Sequence, residues 1–157
     1  MEQEKLSMFI HLLQKVHIMP PLVGKCDLGL IVKEPKSKIS SNKVFNTIKK
    51  LVDIEKITYD KSSTDEDVIE NLVNIFGKDK WVFLEIKKDI GSPLLNQLKH
   101  LANHNILQLL DYKGQDLSKI KMPENSRVIV FSERNFIENK ITYPHFYRLF
   151  GPTLSLE

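Results

Sequence analysis

The chain contains little of what several large protein classes require. It has one cysteine, Cys26, in 157 residues, so no disulfide can form within it, and a reducing compartment suits it. No apolar run reaches the roughly 18 residues of a membrane span. The first residues, Met1 to Lys5, are acidic where a secretory signal would be basic. We therefore expect a soluble intracellular protein, cytoplasmic or nuclear, with no membrane association.

Neither sign of charge dominates the chain. It carries 23 lysines and arginines against 20 acidic residues, a net charge of +3, and the two signs are interspersed. Nucleic-acid binding is thus possible but has no support from charge. A hydrophobic content of 41% allows one sizeable core. We predict an N-terminal helix within residues 1–22, packed on a single α/β domain over residues 23–157.

Hydrophobic periodicity predicts alternating strands and helices. Leu6, Phe9, Ile10 and Leu13 recur at helical spacing, which predicts an amphipathic helix over residues 3–16. Apolar runs predict strands, and helical patterns with caps lie between them. The predicted strands are 27–33, 52–59, 82–86, 127–131 and 153–156, and the expected caps are Ser40 or Ser41, Ser63 with Glu66, and Ser92 before Pro93. Residues 106–125 form either a hairpin or an irregular insertion. This order predicts a three-layer α/β/α fold with a mainly parallel sheet.

Two of these strands end in polar residues. The run Trp81–Ile86 carries a carboxylate, Glu85, next to its last residue. The run that begins at Ser126 ends in a polar cluster that includes Asn135. Because ligands of parallel α/β sheets meet side chains at the carboxyl ends of the strands, this edge is the place to look for a site.

The order of elements over about residues 26–157 resembles the large subdomain of an AAA+ ATPase, in the branch of dynein, midasin and mysterin. A segment resembling 122–131 there precedes the sensor residue, a position that Asn135 matches. A segment resembling Tyr143–Phe150 there carries an arginine near the subunit boundary, which Arg148 matches. The resemblance implies a P-loop-NTPase-like fold.

The departures from this family are large. A phosphate-binding loop GxxxxGK(S/T) needs glycines and a lysine, yet the corresponding residues 33–41 contain no glycine. Pro35 removes a backbone donor there, and Glu34 would repel an anion. Ile86 stands where the family keeps its water-activating carboxylate. The resemblance therefore implies a pseudo-ATPase with no cofactor and no metal.

Such a module would act as a non-catalytic interaction or scaffold module in a protein assembly. A protein partner or self-association is then expected, with Phe146, Tyr147, Arg148 and Phe150 as the contact patch, because aromatics and arginine are enriched at binding hot spots. The alternative is that these aromatics close the core beneath the terminal strand.

A second hypothesis is a metal-dependent nuclease of the PD-(D/E)xK type. Glu85 and Lys87 have the spacing of its E-x-K half, in which a carboxylate pair holds Mg²⁺ and the lysine steadies the attacking water. Asp60 or Asp53 would supply the second carboxylate. A whole predicted helix separates them from Glu85, where a hairpin is usual. The sequence leaves enzymatic activity uncertain and inclines against it.

Overall fold

A computed structural model describes residues 2–15, 28–110, 117–137 and 149–157. Cys26 and three residues of the expected contact patch, Phe146, Tyr147 and Arg148, lie outside these ranges.

The described residues form a parallel sheet with helices on both faces. The helices are α1 (Glu2–Gln14), α2 (Ser41–Lys49), α3 (Asp65–Phe76), α4 (Ser92–His104) and the short α5 (Arg134–Ile137). The strands are β1 (Leu28–Lys33), β2 (Ile54–Tyr59), β3 (Trp81–Ile86), β4 (Ile106–Leu110), β5 (Leu117–Lys121), β6 (Val128–Glu133) and β7 (Thr153–Leu156).

Five strands make the sheet in the order β2-β3-β6-β1-β7, and every neighbouring pair is parallel. Strands β4 and β5 pair with each other antiparallel, so the paired alternative for residues 106–125 is the correct one. The predicted α/β class, the mainly parallel sheet and the N-terminal helix are confirmed. Among the described residues, none of the helices has both the length and the apolar character that a membrane crossing needs.

Alternate residues of the central strands feed two cores. Val82, Leu84 and Ile86 of β3 face α3 and α4. Trp81 and Phe83 face α1 and α2, where the Phe83 ring lies 5.6 Å from that of Phe131. This period-2 alternation with both faces buried explains why the strands read as continuous apolar runs.

The N-terminal helix is anchored to the sheet at both its side and its end. Leu6, Phe9, Ile10 and Leu13 are at most 3% exposed, as the periodicity predicts. At the end of α1, the buried Arg127 donates from Nε to the Leu13 carbonyl at 3.0 Å. A helix C-terminus leaves carbonyls without partners, and Arg127 satisfies one of them.

Two predicted helix starts differ from the structure by one residue. Thr64, rather than Ser63, caps α3 by accepting from the Asp67 amide. Ser63 is unavailable because its hydroxyl oxygen accepts from the Asp60 amide at 3.2 Å, in the turn after β2 where the hydroxyl also donates to the Thr58 carbonyl. Helix α4 has Gly91 at its N-cap, with Ser92 as its first residue. The expected caps at Ser63 and Ser92 are therefore wrong, whereas Ser40 does cap α2.

We expect Gly29→Ala to lower the free energy of unfolding by about 1–3 kcal/mol. A Cβ at Gly29 would lie 2.6 Å from Cζ of Phe9 and 3.0 Å from Cδ2 of Leu13, both buried. Urea denaturation measures the change. The matched control is Gly77→Ala, at a right-handed helical φ of −63°, which should alter stability by less than about 1 kcal/mol. Equal effects of the two substitutions would contradict this account of α1 packing.

Candidate functional site

Polar side chains converge at the carboxyl edge of the sheet. Glu34 follows β1, Asp60 follows β2, Glu85 lies near the end of β3, and Arg134 follows β6. The strands are parallel, so all four positions lie at the same edge. The structure thus confirms that the two polar strand ends seen in the sequence lie at one edge.

Glu34 is held by neighbours from both sides of its strand. Arg134 Nε donates to Glu34 Oε2 at 2.9 Å, and Arg134 Nη2 donates to Oε1. The hydroxyl of Ser155 in β7 also donates to Oε1. These hydrogen bonds, led by those from Arg134 and Ser155, lower the pKa of the Glu34 carboxyl from 4.5 to about 2. The group links the ends of β6, β1 and β7.

We expect Glu34→Gln to reduce stability at pH 7 by about 1 kcal/mol, since the Glu34 and Arg134 side chains are 21% and 35% exposed and water weakens the pair. A folded-state pKa below the unfolded one means that the stabilisation is complete above pH 4.5 and is lost as the pH falls toward 2. The difference between wild type and variant should therefore narrow between pH 5 and pH 3 in urea titrations.

The control for this measurement is Glu70→Gln, on the exposed surface of α3. It should not reproduce the pH dependence. A Glu34→Gln variant that differs from wild type by the same amount at pH 3 and at pH 7 would refute the assigned ion pair.

Glu85 is a buried carboxylate between lysines. It is 3% exposed, with Nζ of Lys56 at 3.5 Å and Nζ of Lys87 at 3.7 Å from its Oε1. Lys56 also donates to Oδ1 of Asn42, in the first turn of α2, at 2.6 Å. Its ammonium lies 5.8 Å from the centre of the Phe45 ring. Lys56 thus joins β2, β3 and α2 at one point.

We expect Lys56→Met to destabilise the fold by about 1–3 kcal/mol, because it removes the less exposed partner of a buried charge. The matched control is Lys87→Met: this lysine contacts the same oxygen but its side chain is 54% exposed, against 21% for Lys56. Its removal should change stability by less than about 1 kcal/mol. Equal losses of unfolding free energy for the two variants in chemical denaturation would show that Lys56 stabilises Glu85 no more than Lys87 does.

The side chain after Glu85 points to the other face of the sheet. Ile86 is 2% exposed and belongs to the core under α3 and α4. Nothing about this position can activate water, because its side chain is a hydrocarbon and is packed away from the Lys56–Glu85 pair.

The carboxylates expected for a nuclease make other contacts. Asp60 Oδ1 accepts from the Ser62 hydroxyl at 2.7 Å and from the Ser62 amide at 2.9 Å, with the Ser63 hydroxyl 3.0 Å away, and these contacts lower the pKa of Asp60. Asp53 precedes β2 and so lies at the amino ends of the strands, whereas Glu85 lies near their carboxyl ends. Strands β2 and β3 are parallel, with α3 between them. Over the ranges that the structure describes, no three histidine, cysteine or acidic side chains are grouped to hold a metal.

A network absent from the sequence analysis occupies the N-terminus of α4. The Tyr59 hydroxyl donates to Asp65 Oδ1 at 2.7 Å and accepts from the Gly91 amide at 3.0 Å. The second oxygen of Asp65 accepts from the Leu94 amide at 3.0 Å. Burial, with the bond to Asp65, raises the pKa of Tyr59 to about 12. Asp65 of α3 therefore caps α4 across the fold.

The remaining residues named from the sequence are only partly described. Asn135, the sensor-like residue, is exposed in α5. Phe150 is 8% exposed and packs in the core with Leu149, as the packing interpretation of the aromatic group requires. The other three patch residues lie outside the described ranges. The patch as a whole remains a prediction.

Sequence reasoning missed the roles of Lys56, Asp65 and Arg134. One signal was available for Lys56: in a strand that alternates, Ile54, Lys56 and Thr58 share a face, so a lysine there needs a partner. Comparison with models of protein families gives no match to this chain, and comparison with curated proteins gives none either.

Proposed function

We propose that this chain is a non-catalytic, AAA+-like interaction or scaffold module, a pseudo-ATPase. The observation that carries the proposal is the position of Lys56. In P-loop NTPases, Mg²⁺ is held between a carboxylate on a strand and a hydroxyl of the phosphate-binding loop. Here the Lys56 ammonium contacts both the strand carboxylate Glu85 and Asn42 in the first turn of α2, so a tethered cation lies where the proposal would expect the metal.

The loop after β1 supports the same conclusion. Phosphate loops bind through backbone amides that point at the ligand. In this loop the Ser37 amide donates to the Glu34 carbonyl at 2.9 Å and the Ile39 amide to the Ser37 hydroxyl at 3.3 Å. The Lys43 amide at the start of α2 donates to the Ser40 hydroxyl at 3.1 Å. These amides already have partners within the chain.

The strand order supports the resemblance on which the proposal rests. Strand β6, which leads to Asn135, lies between β1, which leads to the loop, and β3, which carries Glu85. The AAA+ large subdomain has a similar arrangement, with the sensor strand between the strand of the phosphate loop and the strand of the metal-binding carboxylate. The chain thus combines this arrangement with a loop and a strand end that lack the residues for catalysis.

We expect no ATP binding tighter than about millimolar, with or without Mg²⁺, because three amides of the loop and the start of α2, and the carboxylate of Glu85, are already paired within the chain. Isothermal titration calorimetry with ATP and ADP, and a phosphate-release assay, measure this directly. Calorimetry of Lys56→Met provides a matched comparison, since that variant removes one of the two lysines beside Glu85 and leaves the loop after β1 unchanged.

Micromolar, Mg²⁺-dependent binding of ATP to the wild type would overturn the proposal. So would Mg²⁺- or Mn²⁺-dependent cleavage of DNA or RNA that disappears in both Glu85→Gln and Lys87→Ala, since that result would establish the nuclease hypothesis instead.

A further inference from the structure

The two edges of the sheet are protected to different degrees. At β2, Lys56 points from the edge strand itself, and Lys78 and Lys80 lie at 3.3 and 3.8 Å from Glu55. Lysines along an edge strand oppose pairing with another strand. At β7, the exposed residues are Thr153 and Ser155, which are small and uncharged. The β7 edge therefore lacks the protection that β2 has.

The backbone of β7 offers hydrogen-bonding groups on its outer side. The Leu30 amide donates to the Pro152 carbonyl at 3.0 Å, and the Glu34 amide to the Leu156 carbonyl at 2.9 Å. Since backbone direction alternates along a strand, the amides and carbonyls of Thr153 and Ser155 point away from β1. Within the described ranges, β1 is the strand that pairs with β7, and no second strand pairs with its outer side.

An apolar groove runs beside this edge. Its volume is about 500 Å³, and it lies between α1 and the start of β7. Met8 and Leu12 of α1 are 60% and 39% exposed, and Leu154 of β7 is half-buried on the same side. Its lining includes Glu4, Met8 and Leu12 from α1 and Pro152, Thr153 and Leu154 from the segment of β7. An open strand edge next to an apolar groove fits an added strand whose alternate side chains enter the groove.

The exposed side of α1 identifies the occupant. Glu4, Met8 and Leu12 of α1 and Lys15, the residue that follows the helix, recur at helical spacing, and all four are exposed. The stripe is acidic at its start, apolar in its middle and basic at its end. It is therefore complementary in charge to an antiparallel copy of itself, with Glu4 opposite the partner's Lys15 and Met8 opposite the partner's Leu12.

We infer that a second copy of this chain docks here, with β7 pairing antiparallel to the β7 of the partner subunit. A twofold axis perpendicular to the sheet passes at Leu154. It places the outward amide and carbonyl of Thr153 opposite those of the partner's Ser155, and those of Ser155 opposite those of the partner's Thr153. The same axis brings Leu154 against the partner's Leu154 beneath the two α1 helices. The sheets then join into one, and each groove receives apolar side chains from the other subunit.

This inference names the partner of the interaction module proposed above and rests on that proposal. The two are tested by different measurements. A monomer that binds no nucleotide would overturn only the pairing, whereas a dimer that binds ATP tightly would overturn only the pseudo-ATPase proposal.

Sedimentation equilibrium of the full chain over about 1–200 μM tests the pairing. We expect wild type to dimerise, and Leu154→Lys and Met8→Glu each to weaken the dimer at least about 100-fold, because each places a charge at the centre of the interface. The matched control is Leu51→Lys, at an apolar residue that is 47% exposed and lies after α2. Leu51→Lys should dimerise as wild type does.

A charge exchange tests the antiparallel arrangement of α1. Glu4→Lys and Lys15→Glu should each weaken the dimer about 5-fold or more, and the double variant should recover most of the loss, because the exchange restores opposite charges across the axis. Circular dichroism of each variant confirms that it remains folded.

Three results would overturn the inference. The first is a wild type that stays monomeric over the whole concentration range, which would mean that the groove does not bind a second copy of this chain. The second is a dimer unaffected by both Leu154→Lys and Met8→Glu. The third is a double charge variant whose dimer is weaker than the dimer of either single variant.

Discussion

The burial of the Glu85 carboxylate is the constraint on which the carboxyl edge of the sheet depends. A carboxylate at 3% exposure is tolerable only with close positive partners, and Lys56 and Lys87 approach it to 3.5 and 3.7 Å. Lys56 reaches it from β2 and also binds Asn42 of α2. The pairing of β2 with β3 and the placement of α2 are therefore tied to one charge. In a nucleotide-binding site that role falls to a metal and a phosphate, which leave with the nucleotide.

A site made of ligand-binding groups differs from a site whose groups bind one another. The amides of the loop after β1, the N-terminus of α4 and the carboxylate of Glu34 each have partners within the chain. The partners of the loop amides are local, whereas those of the Leu94 amide and of Glu34 come from other elements and so also stabilise the arrangement of strands and helices. A nucleotide would have to replace several of these bonds at once.

The sequence was sufficient for the parts of the fold that depend on local pattern. Alternation and helical spacing located every strand of the sheet and α1 to α4, because burial on both faces leaves long apolar runs. It was insufficient where partners come from distant elements. Ser63 looks like a cap until the turn after β2 is seen to use its hydroxyl, and Asp65 looks like a first-turn charge until Leu94 lies beside it. The pairing of Glu34 with Arg134, 100 positions apart, requires knowledge of the strand order.

Lys56 also bears on the protection of the two outer strands of the sheet. Lys56 neutralises Glu85 inside the fold, and its place on β2 also puts a charge on the edge strand at that end of the sheet. Charge at β2 opposes association there, so growth of the sheet through a partner strand is possible at β7 but disfavoured at β2. Among the described strands β7 is the less protected outer strand, and the proposed pairing about a twofold axis would use that edge in both subunits. The proposed pairing is therefore expected to give a closed pair of subunits and not an open chain.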